Sequence, residues 1–134
     1  TGNPITRKQI ALMVNIDQIG STMSPLKSGR EDYIIMLGTE SLKPIKRDLL
    51  DACNRMFAID MDIDLTYYGS ENFTKVFYRL SDQRVFVENG IPAVLFTSGI
   101  TMNTNKTRDN AESINLEILR KRIYLIYHWL DKML

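Results

Sequence analysis

Val14-Asn15-Ile16-Asp17-Gln18-Ile19-Gly20 is an apolar run that closes on one carboxylate and, three residues later, a glycine. It continues an uninterrupted apolar stretch from Ile10 to Ile16, the pattern of a strand covered on both faces. The run therefore predicts a strand at the centre of a sheet. Asp17 stands where the chain leaves that sheet, and carboxyl ends of strands are where α/β proteins build their sites. The plainer reading of Asp17 is that its carboxylate caps the following turn through the local backbone.

Strand and helix signals alternate along the rest of the chain. Gly20 to Arg30 carries the turn chemistry of Ser21, Ser24, Pro25, Ser28 and Gly29, and Tyr33 to Leu37 reads as a second buried strand. From Ser41 to Met56, Leu42, Ile45, Leu49, Leu50 and Cys53 recur at helical spacing, so that face should pack on the sheet. Pro44 fits the first turn, where no amide donor is lost. Ile63 to Tyr68 predicts another strand, Phe73 to Leu80 and Ser81 to Asn89 predict short helices, and Gly90 is the expected left-handed stop before a buried strand over Pro92 to Thr97. In the last helix Leu116, Leu119, Ile123, Ile126, Leu130 and Met133 form one stripe, too short for a coiled coil and suited to lying on the sheet. The elements predict a single layered α/β domain over residues 1–134.

Composition narrows the partners. With 17 basic and 16 acidic residues in 134, the formal charge is +1, which gives no field to steer the chain to nucleic acid or an anionic membrane. No apolar run reaches the roughly 18–20 residues that cross a bilayer, so neither nucleic acid nor membrane is expected as a partner. The one cysteine, Cys53, lies in a helical pattern and reads as a small buried hydrophobe. Lys43, Lys46 and Arg47, and then Arg120, Lys121 and Arg122, read as the wet faces of amphipathic helices.

Three motifs in order carry a family resemblance. Asn15, Asp17 and Gly20 match Asn-x-Asp-x-x-Gly after an apolar strand; Ser81-Asp82-Gln83-Arg84-Val85-Phe86 followed by Gly90-Ile91-Pro92 is similar to Ser-Asp-His-x-x-Phe then Gly-Ile-Pro; and Gly99 to Asn110 aligns with Gly-Ile-His-x-x-Tyr-His-x-Pro-x-Asp-Thr. Together they resemble the C-terminal half of the catalytic domain of the two-zinc aminopeptidases, a family related to glutamate carboxypeptidase, transferrin-receptor ectodomains and glutaminyl cyclase. The resemblance implies a mixed sheet flanked by helices, as in part of a zinc-exopeptidase (phosphorylase/hydrolase-like) domain. It implies that Asp17 is a zinc ligand, that Asn105 occupies the family's histidine-ligand position, and that Asp82, Gln83 and Asp109 border the substrate pocket. A neutral amide oxygen at position 105 is a weak zinc donor where an imidazole would be a good one.

The family's remaining ligands and its general base belong to a segment upstream of the Asp17 strand, and only Thr1 to Lys8 precede that strand here. The expected activity is therefore that of a partial domain, a zinc-dependent aminopeptidase hydrolysing N-terminal residues of peptides once an upstream segment completes it. In it a zinc-activated water attacks a polarised peptide carbonyl. The alternative is a catalytically inactive peptidase-like binding or scaffolding domain, motivated by Asn105 and Gln83 where histidines are expected. A peptide substrate, zinc in the complete protein, a periplasmic or secreted location and self-association through an exposed sheet edge all follow from the resemblance.

Rival readings are thinner. Asp60, Asp62, Asp64 and Glu71 copy the acidic spacing of a calcium loop, but Leu65 stands where that loop needs glycine and is expected to begin a strand. Ser98, Asp109 and His128 have the residue types of a hydrolase triad without a nucleophile elbow, and His128 reads as a surface or half-buried helix residue. Asn72-Phe73-Thr74 and Asn105-Lys106-Thr107 are formal glycosylation sites without assignment.

Overall fold

A computed structural model describes residues 10–20, 26, 28–80, 84–99 and 115–133. Its elements are β1 (Met13–Ile16), β2 (Tyr33–Leu37), α1 (Pro44–Met56), β3 (Asp62–Asp64), α2 (Glu71–Leu80), α3 (Arg84–Glu88), β4 (Ala93–Thr97) and α4 (Leu116–Met133). The strands form one mixed sheet in the order β1-β4-β2-β3. β1 runs parallel to β4 with Asn15 opposite Leu95, β4 runs antiparallel to β2 with Phe96 opposite Met36, and β3 lies parallel to β2.

The two central strands are the two whose sequences are uninterrupted apolar runs, and every residue of each is buried. Alternation sends their side chains into two cores. Ile34, Met36, Val94 and Phe96 meet Leu50 and Cys53 of α1 and Ile118, Leu125, Ile126 and Trp129 of α4 on one face. Tyr33, Ile35, Leu37 and Leu95 meet Tyr67, Tyr68 and Tyr78 on the other. Trp129 anchors the first core, its ring edge-on to Phe96 with centroids 5.3 Å apart and its Nε1 donating to the Lys46 carbonyl at 3.0 Å.

Four sequence expectations are corrected. β1 is an edge strand of the described sheet, only half-buried, because α1 and α4 centre over β2 and β4. The first long helix begins at Pro44, after a 3-10 turn at Thr39–Ser41, and Ile45 faces solvent at 78% exposure. The strand at Ile63 stops at Asp64, whose carboxylate accepts from the Thr66 amide and hydroxyl at 2.8 and 2.7 Å and turns the chain, so Leu65 is an exposed bend residue. In α4 the buried stripe is Ile118, Arg122, Leu125, Ile126 and Trp129, while Leu116 and Ile123 are 75% and 52% exposed. Arg122, expected on the wet face, is at the centre of the buried one.

Local devices place the connections. The Asn54 side chain clamps the backbone of Met61, donating to its carbonyl at 2.7 Å and accepting from its amide at 3.0 Å, which aims the chain from α1 into β3. Asp32 accepts both arms of Arg30 at 2.9 and 2.7 Å and Lys121 Nζ at 2.8 Å, and Arg30 and Lys121 also donate to the Asp60 carbonyl at 2.6 and 3.0 Å. The approach to β2, the approach to β3 and the first turns of α4 thus share one charge cluster. The Arg30 guanidinium beside Asp32 holds its carboxyl well below the ordinary range.

Candidate functional site

Parallel pairing puts the carboxyl ends of β1 and β4 together, and antiparallel pairing brings the start of β2 to the same rim. Asp17 leaves β1 there. Its amide donates to the Phe96 carbonyl at 3.0 Å, so its backbone still follows the ladder while its side chain is exposed beyond the last strand residue. The next residue, Gln18, has φ 55, a left-handed conformation that costs a non-glycine residue roughly 1–2 kcal/mol.

What offsets that cost is a set of ties on the turn. The Gln18 carbonyl accepts from Ser98 twice, from the amide at 3.1 Å and from the hydroxyl at 2.7 Å. The Ile19 carbonyl accepts from Arg122 Nη1 at 2.9 Å. Arg122 also donates from Nε to the Tyr33 carbonyl at 2.7 Å and from Nη2 to the Glu31 carbonyl at 3.3 Å. One buried guanidinium therefore joins the turn after β1, the entry to β2 and the middle of α4. Burial pulls its pKa below the ordinary value, but a guanidinium stays charged in proteins.

Above this cation lies a hydroxyl cluster. The phenol oxygens of Tyr33 and Tyr68 each lie 2.8 Å from the Ser98 carbonyl and also contact one another, so two hydroxyl protons serve three close oxygen pairs, with rings edge-on at 5.7 Å. Arg122 sits 5.2 Å from the Tyr33 ring centre. The segment that carries Asp17 is thereby held rigidly, which is what a ligand or binding carboxylate needs.

Of the residues singled out from sequence, Asp17 is at the rim as expected. Asp82, Gln83, Asn105 and Asp109 lie outside the described residues. The residues missed are Tyr33, Tyr68 and Arg122, and Ser98, read above only as a hydrolase residue, serves here as a tie to the Gln18 carbonyl. Tyrosines in apolar strands read as core, and an arginine beside Arg120 and Lys121 reads as surface; no sequence signal separates them.

The rival sites meet prior commitments. Ser28 Oγ donates to Asp62 at 2.6 Å, Asp64 holds its own turn, and Arg30 reaches Asp60, so three of the four carboxylates of the calcium-like spacing face different partners. The Ser98 hydroxyl is buried and points at Gln18, and the His128 ring stacks on Phe57 with centroids 3.7 Å apart.

Zinc needs three or four N, S or O ligands converging at about 2.0–2.3 Å. Among the described residues no group of three His, Cys, Asp or Glu side chains is placed to hold a metal ion. The described residues by themselves do not make a zinc site. Among these residues no helix is long and apolar enough to cross a membrane.

No family model matches the chain, and no curated protein matches it. Among solved structures, the aminopeptidase from Aneurinibacillus sp. strain AM-1 is similar with a TM-score of 0.57 at 20% identity, over 92% of this chain and 25% of that one. This chain thus spans a quarter of the length of the protein it resembles. The likeness is one of fold: a mixed four-stranded α/β sheet flanked by helices, of aminopeptidase-like architecture.

Proposed function

We propose that this chain is part of a zinc-dependent, aminopeptidase-type metallopeptidase domain that removes N-terminal residues from peptides when an upstream segment completes it. The observation that carries the reading is Asp17, an exposed carboxylate on a rigidly tied turn at the carboxyl end of β1, in a sheet that matches an aminopeptidase over 92% of the chain. In this reading Asp17 serves as a zinc ligand and position 105 supplies at most a weak amide donor. Asp82, Gln83 and Asp109 border the pocket that receives the peptide. The remaining ligands and the general base come from outside these residues, and the working location is periplasmic or extracellular.

The test is zinc titration by calorimetry of a chain carrying the sequence upstream of Thr1, with release of the amino acid from aminoacyl anilides as the activity. Zinc uptake with cleavage, both lost in Asp17→Ala, is the expected result. A folded chain that takes up no zinc and cleaves nothing overturns the reading in favour of a peptidase-like binding domain. If Asn105→His then creates zinc affinity, that site has decayed from a working one.

A further inference from the structure

Among the described residues the non-glycines with positive φ are Gln18, Ala58, Asp60 and Tyr68. Ala58 and Asp60 carry the chain from the end of α1 into β3. Gln18 and Tyr68 belong to different connections, yet both are bonded to Ser98. The Gln18 carbonyl accepts from the Ser98 amide and hydroxyl at 3.1 and 2.7 Å, and the Ser98 carbonyl lies 2.8 Å from the Tyr68 phenol.

Tyr68 reaches Ser98 from an unfavourable backbone. Tyr68 and Gly69, with φ 54 and 81, are the central residues of the turn that the Ser70 amide closes on the Tyr67 carbonyl at 3.1 Å. Positive φ at both places favours asparagine and glycine, and a bulky side chain there is an outlier. Side chains hold the turn in that form: Thr66 Oγ1 accepts from the Gly69 amide at 2.9 Å and Thr74 Oγ1 from the Tyr67 amide at 2.7 Å. A phenylalanine would supply the edge-on ring contacts with Tyr67 and Tyr33, at 5.1 and 5.7 Å between centroids, and the hydroxyl adds the bond to Ser98. Residues kept in such conformations by their surroundings concentrate at working sites.

We propose that Tyr68 is a positioning residue for Asp17 and acts through Ser98: the phenol fixes the Ser98 carbonyl, Ser98 fixes the Gln18 carbonyl, and the left-handed turn at Gln18 then presents the Asp17 carboxylate in one place. Pinned at its amide, hydroxyl and carbonyl, Ser98 leaves the turn little freedom to drift. What Asp17 binds rests on the peptidase reading; that Tyr68 places it does not.

Tyr68→Phe removes the hydroxyl and keeps the ring. The Ser98 carbonyl retains the Tyr33 phenol, so no acceptor is stranded and the urea midpoint should hardly move. In the 134-residue chain, amide hydrogen exchange followed by NMR should quicken about tenfold at Asp17 and Ser98 and stay unchanged in β2 and α1. Ser98→Ala should quicken the Asp17 amide too and serves where the phenylalanine variant fails to fold; the two together should fall short of the product of the single effects. In the chain carrying the sequence upstream of Thr1, Tyr68→Phe should raise the zinc dissociation constant about tenfold, as loss of an outer partner of a metal ligand does, and lower kcat with KM unchanged. If that parent binds no zinc the peptidase reading fails, and exchange alone decides on Tyr68. Unchanged exchange at Asp17 and Ser98 overturns the proposal, as does exchange that quickens throughout the chain in step with a lowered midpoint. Local loosening with intact zinc affinity, in a parent that binds zinc, also overturns it, and single effects that simply multiply overturn the route through Ser98.

Discussion

Arg122 donates through Nε to the backbone carbonyl of Tyr33 at 2.7 Å while its guanidinium lies 5.2 Å from the centre of the same residue's ring. A residue that presents its carbonyl and its aromatic system to one cation binds it with the chain as well as the side chain. Replacing Arg122 by methionine keeps the volume and removes the donors, leaving the carbonyls of Ile19, Glu31 and Tyr33 short of partners. The expected loss is on the order of 3 kcal/mol, read from urea unfolding, since stranding buried acceptors costs about 1–3 kcal/mol each. Arg122→Lys should lose nearly as much, because an ammonium cannot span the three carbonyls. A change under 1 kcal/mol in both would show that the turn after β1 does not depend on this cation.

Asp32 makes the stability of the fold depend on pH in the acid range. Its folded-state pKa is lowered first by the Arg30 hydrogen bonds and then by Lys121, against an unfolded value near 3.9. The contribution to stability is therefore complete above about pH 4 and disappears as pH falls below that value toward the depressed one. Asp32→Asn should be less stable than the parent at pH 7 by roughly 1–3 kcal/mol, the range for charge-assisted hydrogen bonds, and the gap should close at low pH. Equal midpoints at pH 7 would remove Asp32 from the account.

Gly38 has φ 88, and a Cβ there would lie 2.6 Å from the Ala93 carbonyl and 2.6 Å from Cε2 of the Tyr78 ring. Gly38→Ala should cost roughly 2–4 kcal/mol from the left-handed backbone and the clash together. Gly90→Ala, where nothing stands within 4 Å of the added carbon, should cost only the backbone part, about 1–2 kcal/mol. Tyr78 offers a second readout. Burial, with help from Glu40, pushes its phenol up to about 12 while its hydroxyl donates to the Ala93 carbonyl at 2.6 Å. Displacement of the ring in Gly38→Ala should bring its ultraviolet titration back toward 10, and an unmoved titration would show that the ring keeps its place.

Cys53 is fully buried under α4, and burial raises its thiol pKa. Its alkylation in native buffer should follow global unfolding and slow with every stabilising condition. Rapid labelling of the folded chain would contradict this packing.

The legible parts of the fold were those where one physical signal acts alone. β2 and β4 are apolar throughout because both faces are covered, Pro44 opens α1, and Gly90 takes φ 76. The errors arose where two signals compete at one residue. A cation at the centre of the buried face of α4 displaced the inferred stripe by part of a turn, since a charge is read as exposed unless its partners are known, and the carbonyls of Ile19 and Tyr33 lie 103 and 89 residues away. Apolar continuity reports covered faces and says nothing about neighbours along the hydrogen-bonding direction, so the sequence of β1 does not tell a central strand from an edge strand of the described sheet. The place of Asp17 at the end of β1 is legible from the sequence. The Tyr33, Tyr68 and Ser98 cluster was not, because its function in the rim is to satisfy a backbone carbonyl, an acceptor every residue has.

The last helix supplies Leu125 and Trp129 to a core whose strands β1 to β3 lie in the first half of the chain. During synthesis Ile34 and Met36 leave the ribosome shortly before α1, which brings Leu50 and Cys53 to the same face, but long before α4, whose contacts with that face rank among the most distant in the sequence. That face is closed only when α4 arrives, with Arg122 tying the helix to the carbonyls of Ile19, Glu31 and Tyr33.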